Sequence, residues 1–157
     1  MASFEKPVVF DVGSQKYGVD INCVSAIEQY ANVVPVPNSV AYIKGIINLR
    51  GEVVPVFDLH KKFGIPMNGA STAAMKMIVV KVGDLLIALE VDSVSEIHDI
   101  PAENLMPLPR IVQNAEISYF THVGNANGTL ILMIDVENLL TAEEKSNLQD
   151  MKEELEK

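Results

Sequence analysis

The chain has 157 residues, of which 48% are hydrophobic, and its formal net charge is −9. This length suffices for one compact domain, or for two very small ones that share a core. Because the chain is acidic and its lysines and arginines do not gather into one run, we expect neither nucleic acid nor a membrane surface among its partners.

Most apolar residues occur in short stretches rich in Val and Ile between turn residues, a pattern typical of strands in a β-rich domain. In chain order, the predicted strands are 7–12, 16–20, 33–36, 46–50, 52–57, 76–82, 85–91, 94–98, 118–123 and 129–134. Ten strands are too many for one small barrel.

Helical patterns are few, and most of them are short. The predicted helices are 21–28, 59–63, 136–140 and 142–155. The first three each follow an aspartate that can cap a helix, namely Asp20, Asp58 and Asp135, and Gly64 can end the second. The fourth begins with a capping box and carries an apolar stripe.

The chain also contains an internal repeat. A shift of 70 residues aligns 8–27 on 78–97 without gaps, and a shift of 77 residues aligns 51–58 on 128–135. We infer two copies of one unit of about five strands, each with two glycine turns and an Asp-capped helix. Five strands per copy would close a small barrel and remove most sheet edges.

Arg50 and Gly51 lie between two apolar runs of the first copy. Glycine readily adopts the positive φ of a tight hairpin turn, so Arg50 is predicted at a hairpin tip. There it is either a solvated charge or an interface anchor, since a guanidinium can bind a carboxylate with two hydrogen bonds. Pro55, inside the following strand, indicates a sheet edge or a bulge, and an edge is where another chain can dock.

The segment 42–63 closely resembles the signature of CheW domains. The matching residues are Ile43-Lys44-Gly45, Asn48-Leu49-Arg50-Gly51, Val54-Pro55-Val56 and Asp58-Leu59. The resemblance extends from about residue 7 to about residue 150. It implies a mainly β fold of two intertwined five-stranded SH3-like barrels within one domain, 1–157. The barrel subdomains would be roughly 8–70 and 76–140, exchanging strands, with a C-terminal helix at 141–157.

The resemblance further implies a non-catalytic adaptor, without a cofactor, that couples chemoreceptors (methyl-accepting chemotaxis proteins) to the regulatory domain of the histidine kinase CheA. The receptor site of the family is an apolar groove between the barrels, and the positions that match it are Val24, Ile27, Gly45, Arg50, Val94 and Ile97. The candidate kinase contacts on the first barrel are Tyr30, Asn32 and Val34. The apolar members of the first set would equally suit a barrel core.

Three positions depart from the usual pattern of that family. Ala26 stands where relatives often carry a glutamate, and Ser93 and His122 replace common glycines. These departures concern receptor specificity rather than membership.

Enzymatic alternatives have little support in the sequence. The histidines His60, His98 and His122 are dispersed, and neither a zinc motif nor a nucleotide-binding loop is present. Cys23, the single cysteine, excludes an internal disulfide and suits a reducing compartment. The chain shows no secretory signal and no apolar run of about 18 residues, so we expect a soluble, cytoplasmic protein that reaches membrane arrays only through its partners.

Two other signalling functions remain as alternatives. Asp58 follows an apolar run, as the phospho-acceptor of a receiver domain would, although paired strands with glycine turns favour a helix cap instead. The chain could also be a regulatory double barrel like that of the kinase itself.

Overall fold

The computed structural model describes residues 6–29, 33–37, 42–65, 75–95, 99–109, 119–140 and 150. In these ranges the strands are β1 (Pro7–Val12), β2 (Gln15–Asp20), β3 (Val24–Gln29), β4 (Ile43–Leu49), β5 (Glu52–Asp58), β6 (Lys76–Val82), β7 (Leu85–Val91), β8 (Ser93–Val94), β9 (Leu105–Pro107), β10 (Phe120–Ala126) and β11 (Thr129–Ile134). The helix α1 spans Leu59–Phe63, and three-residue 3₁₀ helices span Ile21–Cys23, Ala102–Asn104 and Val136–Asn138.

The strands form two sheets. The six-stranded sheet has the order β8-β1-β2-β11-β10-β9, and the five-stranded sheet has the order β3-β6-β7-β5-β4. Most neighbours are antiparallel, but β2 pairs with β11 and β5 pairs with β7 in parallel. The prediction of a mainly β fold with few helices is confirmed.

The two sheets are related by the sequence repeat. Its offsets match β1 with β6, β2 with β7, β3 with β8, β4 with β10 and β5 with β11. Replacing each strand by its counterpart converts the order of one sheet into that of the other, apart from the additional β9. Each sheet therefore combines the first hairpin of one copy with the second hairpin of the other. The subdomain boundaries at 8–70 and 76–140 stay a prediction.

The main core contains residues from both sheets. Val8 and Val19 of the six-stranded sheet belong to the same buried cluster as Ile78 and Leu89 of the five-stranded sheet. Two smaller clusters, one around Val54, Val56, Met77 and Val79 and one around Val9, Ile131 and Met133, bury other sheet faces. Burial on both faces explains why several strands read as continuous apolar runs rather than alternating ones.

Aromatic residues help to join the sheets through α1. The ring of Phe63 lies 5.0 Å from that of Tyr17 and 5.1 Å from that of Phe120, measured between centroids. Both partners belong to the six-stranded sheet, whereas α1 directly follows β5 of the other sheet. Lys62 places its Nζ 4.1 Å from the ring centroid of Tyr42 and 5.7 Å from that of Tyr119, its repeat counterpart.

The helix predicted at 21–28 is wrong. Asp20 does cap a turn, its side chain accepting a hydrogen bond from Asn22 N at 2.9 Å, but that turn is a 3₁₀ helix of three residues. From Val24 the chain becomes β3, which pairs with β6. The repeat contained the correction, because its counterpart at 94–98 was predicted as a strand and equivalent segments should share one structure.

The other helices have mixed outcomes. The prediction of 59–63 is confirmed, since Asp58 accepts a hydrogen bond from Lys61 N at 3.3 Å and Gly64 ends α1 with φ 71°. The segment predicted at 136–140 forms a 3₁₀ helix over Val136–Asn138, again after an aspartate cap. The helix predicted at 142–155 lies outside the described residues, apart from Asp150.

The outer edges of both sheets differ from expectation. The strand predicted at 33–36 is reduced to a bridge between Val34 and Ile46, whereas β9 was not predicted. Both segments share one pattern at a shift of 72 residues, Val-Val-Pro-Val-Pro at 33–37 and Leu-Met-Pro-Leu-Pro at 105–109. In the structure, Met106 pairs with Val123, the counterpart of Ile46. This third register was the available sequence signal for β9.

Pro55 is accommodated inside a sheet. It pairs with Ile46 of β4, and the parallel pairing between β5 and β7 begins one residue later, at Val56 and Ala88. A proline without an amide hydrogen is therefore tolerated at this position. The exposed edge lies on the other side of β4, at Val34.

Candidate partner-binding site

Arg50 lies at a hairpin tip, as predicted. Arg50 and Gly51 have φ of 53° and 86°, so both central residues of the two-residue turn between Leu49 and Glu52 have positive φ. This is the geometry of the tight hairpin turns whose twist matches that of the strands. Asn48 accepts a hydrogen bond from Gly51 N on its Oδ1 at 2.8 Å and fixes the turn.

The guanidinium of Arg50 is tied to β3. Its Nη2 donates to Glu28 Oε1 at 3.0 Å, while the Arg50 side chain remains 77% exposed. An exposed ion pair of this kind contributes only about 0–1 kcal/mol. The recorded bond uses one of the five N–H donors of the guanidinium. The tip therefore presents a positive charge that a partner carboxylate can bind. Glu28 was not among the predicted site residues.

A β-bulge puts two predicted receptor contacts on one face of β3. Val24 pairs with Val80, Ala26 with Val79 and Ile27 with Ile78, so the register shifts by one residue between Val24 and Ala26. Because side chains alternate along a strand and the bulge adds one residue, Val24 and Ile27 point to the same side. Val24 packs against the main core, and Ile27 is 45% exposed.

Val94, the third apolar candidate, borders the same core from the opposite sheet. It lies in β8 and pairs with Phe10 of β1, and it packs, partly buried, against the main core cluster, as Val24 does. Arg50 is separate from this apolar group, because it contacts Glu28, which points to the other face of β3 from Ile27. Ile97 lies outside the described residues.

Gly45 has a structural reason to be glycine. It follows a bulge in β4, where Ile43 pairs with Phe57 and Gly45 with Val56. A Cβ at this position would collide with the carbonyl oxygen of Val34 and approach Val33 Cγ1 to 2.7 Å. The outer segment can therefore lie against β4 only if this residue has no side chain.

Val34 is the described member of the candidate kinase contacts. It exchanges two backbone hydrogen bonds of 2.9 Å with Ile46, yet its side chain is 60% exposed. Its counterpart Met106 is 52% exposed beside β10. Each sheet thus ends in a short outer segment with an exposed apolar residue. Tyr30 and Asn32 lie outside the described residues.

The structure does not support Asp58 as a phospho-acceptor. Its carboxylate caps α1, and it pairs with Glu90 in the parallel ladder of β5 and β7. A receiver domain alternates strands with long helices around a parallel sheet, and the present sheets are built mainly from antiparallel hairpins. The described ranges contain no group of three or more His, Cys, Asp or Glu residues arranged to hold a metal ion.

An acidic cleft of about 270 Å³ is lined by Asp20, Asn22, Cys23 and 134–137. Its polar groups are engaged within the protein, since Asp135 caps the 3₁₀ helix that follows β11 and Cys23 Sγ donates to Asp20 O at 2.9 Å. Burial, together with nearby carboxylates, raises the pKa of the Cys23 thiol to about 11. This thiol is therefore a poor nucleophile at neutral pH. No helix in the described part of the chain is long and apolar enough to cross a membrane.

Comparison with known proteins places these features in a family. The model of the CheW-like domain matches residues 6–144. The chemotaxis protein CheW of Klebsiella aerogenes is 33% identical over 138 residues, which cover 87% of this chain and 82% of that protein. The chemotaxis protein CheW of Rhizobium meliloti is 30% identical, with 88% of each chain covered.

A solved structure agrees with the sequence comparisons. The crystal structure of the scaffolding protein TtCheW from Thermoanaerobacter tengcongensis superposes with a TM-score of 0.81 and 30% identity, covering 89% of this chain and 96% of that chain. The fold and the surfaces described above are those of a binding module, with an exposed charged hairpin tip and apolar sheet edges. This chain belongs to the CheW family.

Proposed function

We propose that this protein is a non-catalytic cytoplasmic adaptor that couples chemoreceptors to the histidine kinase CheA within signalling arrays. The observation that carries the proposal is the CheW-like match over residues 6–144, which spans both copies of the repeat. Relatives matched over most of their length are named as chemotaxis proteins, and the solved relative is a scaffolding protein.

The receptor-binding surface would combine Val24 and Ile27 of β3 with Val94 of β8 and the Arg50 tip. Val24 and Val94 reach the same core from different sheets, so a receptor helix laid along the boundary could contact both sheets at once. Exposed Ile27 would supply apolar area, and Arg50 would bind a carboxylate of the receptor, as arginine commonly does at interfaces. Gly45 would contribute indirectly, by letting the outer segment pack against β4. Ile97 stays a candidate by its place in the repeat.

The kinase-binding surface would lie on the outer segment that carries Val34. An exposed apolar residue on a backbone already held by Ile46 costs little conformational entropy to bury. A regulatory domain of the kinase with a complementary apolar patch could cover it. Tyr30 and Asn32 are proposed as neighbouring contacts on sequence grounds.

The mechanism would require no bond to be made or broken. A protein that binds a receptor through one surface and a kinase through another changes the conformational equilibrium of the kinase when the receptor changes shape, provided that its affinity differs between the two states. Each contact can be weak, because an array raises the effective concentration of every partner.

The test is an NMR titration of the ¹⁵N-labelled protein with a receptor-tip fragment and, separately, with the regulatory domain of the kinase. We expect two distinct sets of shifted amides, one including Val24, Ile27 and Arg50 and the other including Val34 and Ile46. A sample with both partners should form a ternary complex. If neither partner binds, the adaptor function is wrong.

A further inference from the structure

His60 lies in α1 and makes two polar contacts that require opposite edges of its ring. Its side chain is 4% exposed. Nε2 lies 2.8 Å from Asp92 Oδ1 and 3.0 Å from Asp92 Oδ2, and Nδ1 lies 3.2 Å from the carbonyl oxygen of Ile65. A carbonyl and a carboxylate are both acceptors. Only the imidazolium, with a proton on each nitrogen, donates to both at once.

The two contacts of His60 converge on one turn. Asp92 Oδ2 also accepts a hydrogen bond from Gly13 N at 2.7 Å. The side chain of Ile65 packs on the other side of the same residue, where a Cβ on Gly13 would lie 2.7 Å from Ile65 Cγ2. Gly13 belongs to the turn between β1 and β2. His60 thus holds both groups that grip the end of this hairpin.

The hairpin and the histidine belong to different sheets. β1 and β2 are strands of the six-stranded sheet, whereas α1 continues from β5 and Asp92 directly follows β7, both in the five-stranded sheet. Asp92 N in turn donates to Asp11 O at 2.9 Å. The cluster is therefore a point of attachment between the two sheets.

We propose that His60 is a protonation-dependent latch, whose charged form fixes the β1–β2 turn to α1 and whose neutral form releases it. After loss of one proton, one ring nitrogen faces an oxygen with a lone pair instead of a hydrogen. The charged aspartate makes the stronger partner, so the proton remains on Nε2 and the Ile65 contact is lost. Ile65 then withdraws from Gly13.

The charges around His60 are consistent with this assignment. Burial by itself lowers the pKa of His60, but the hydrogen bond and charge of Asp92, with the Ile65 carbonyl and the charge of Asp58, outweigh burial and raise the pKa above 6.5. Carboxylates on the neighbouring strands are paired elsewhere, Glu90 with Lys44 at 2.8 Å and Asp11 with Lys16 at 2.9 Å. The lysines of α1 itself are Lys61 and Lys62.

The test follows the His60 ring and the Gly13 amide by ¹⁵N NMR from about pH 5.5 to about pH 8.5, the range over which histidines titrate. We expect both ring nitrogens of His60 to be protonated at the acidic end. Hydrogen-exchange protection of Gly13, corrected for the intrinsic rate at each pH, should fall at least about threefold as the ring titrates.

Gly83 is the matched internal control. It occupies the equivalent turn of the second copy, where Glu137 Oε1 accepts its amide hydrogen at 3.3 Å. Its protection should not follow the histidine, and in His60→Gln the protection of Gly13 should no longer depend on pH. A ring with one unprotonated nitrogen throughout, or constant Gly13 protection through the titration of His60 in the wild-type protein, would overturn the proposal. These readouts need no partner, so they do not depend on the adaptor function.

Discussion

Arg50 and Asn127 occupy the same backbone position in two hairpins that are otherwise alike. Their φ values are 53° and 52°, the following glycines have φ of 86° and 90°, and each turn is held by an asparagine that accepts the glycine amide at 2.8 Å. Asparagine tolerates the left-handed conformation well, whereas arginine in it costs about 1 kcal/mol. The first copy thus keeps a locally unfavourable residue at its tip, which indicates that the side chain is selected for something other than folding.

The outer segments make the opposite comparison, because there the two copies have stayed alike. Val34 and Met106 are equivalent, both are exposed, and both lie beside the second hairpin of their own copy. The strand beneath differs, however, since Gly45 in the first copy corresponds to His122 in the second. The first copy packs its outer segment more closely than a side chain at that position would permit.

The largest effect is expected from Gly45→Ala. The added Cβ would collide with the backbone of Val34, and the free energy of unfolding should fall by about 2–4 kcal/mol in urea denaturation. The matched control, His122→Ala, removes a side chain from the second copy and should change stability by less than about 1 kcal/mol. Equal effects of the two substitutions would mean that close packing at Gly45 is not what distinguishes the copies.

The outer segments can be separated by a pair of charge substitutions. Val34→Asp should weaken binding of the CheA regulatory domain by about tenfold or more, near 1.4 kcal/mol, because a carboxylate would be buried in an apolar interface. Met106→Asp, at the equivalent position, should leave that affinity within about twofold if the first copy alone carries this contact. Isothermal titration calorimetry measures both. Loss of binding with Met106→Asp alone would assign the kinase surface to the second copy.

The hairpin tips are separated by exchanging their residues. Arg50→Asn should weaken binding of a receptor-tip fragment by at least about fivefold, near 1 kcal/mol, through loss of a charged hydrogen-bond donor. It should also leave the melting temperature unchanged or raise it, because the turn loses an unfavourable residue. Binding is measured by titration and stability by circular dichroism.

Asn127→Arg is the control for that experiment. It should lower stability by up to about 1 kcal/mol, since it places arginine in the left-handed region, and should leave receptor binding unchanged. If Arg50→Asn binds the receptor fragment normally, Arg50 is a solvated charge, which was the alternative interpretation of the sequence.

Much of this comparison could be predicted from the sequence, because glycine turns and aspartate caps are local. The turn at Arg50 and the helix after Asp58 depend on residues within a few positions of each other. The structure of 21–28 could not be decided in that way, since an Asp cap and an apolar stripe suit a helix while pairing with β6 favours a strand. The exchange of hairpins was similarly undetermined, because β2 and β7 are equivalent and either could have paired with β5.

The site shows the same division between local and distant determinants. Arg50 was identified because its turn fixes it, but its partner Glu28 was not, since 22 residues separate them and the ion pair depends on how β3 lies beside the hairpin. Gly45 was carried over from the family as a receptor contact, whereas its packing against Val34 could be seen only once the outer segment was in place.

The smallest effect concerns the two residues that follow the second hairpins, His60 and its repeat counterpart Glu137. Both help to hold the first hairpin of a copy, His60 through Asp92 on Gly13 and Glu137 directly on Gly83. Only the histidine titrates near neutral pH. Because the pKa of His60 is raised in the folded protein, its contribution to stability is complete below 6.5 and is lost as the pH rises through the folded pKa. The difference in unfolding free energy between wild type and His60→Gln, measured in urea, should therefore shrink with rising pH. A difference that grows with pH would mean that His60 folds in the neutral form and that the two copies hold their hairpins by the same uncharged chemistry.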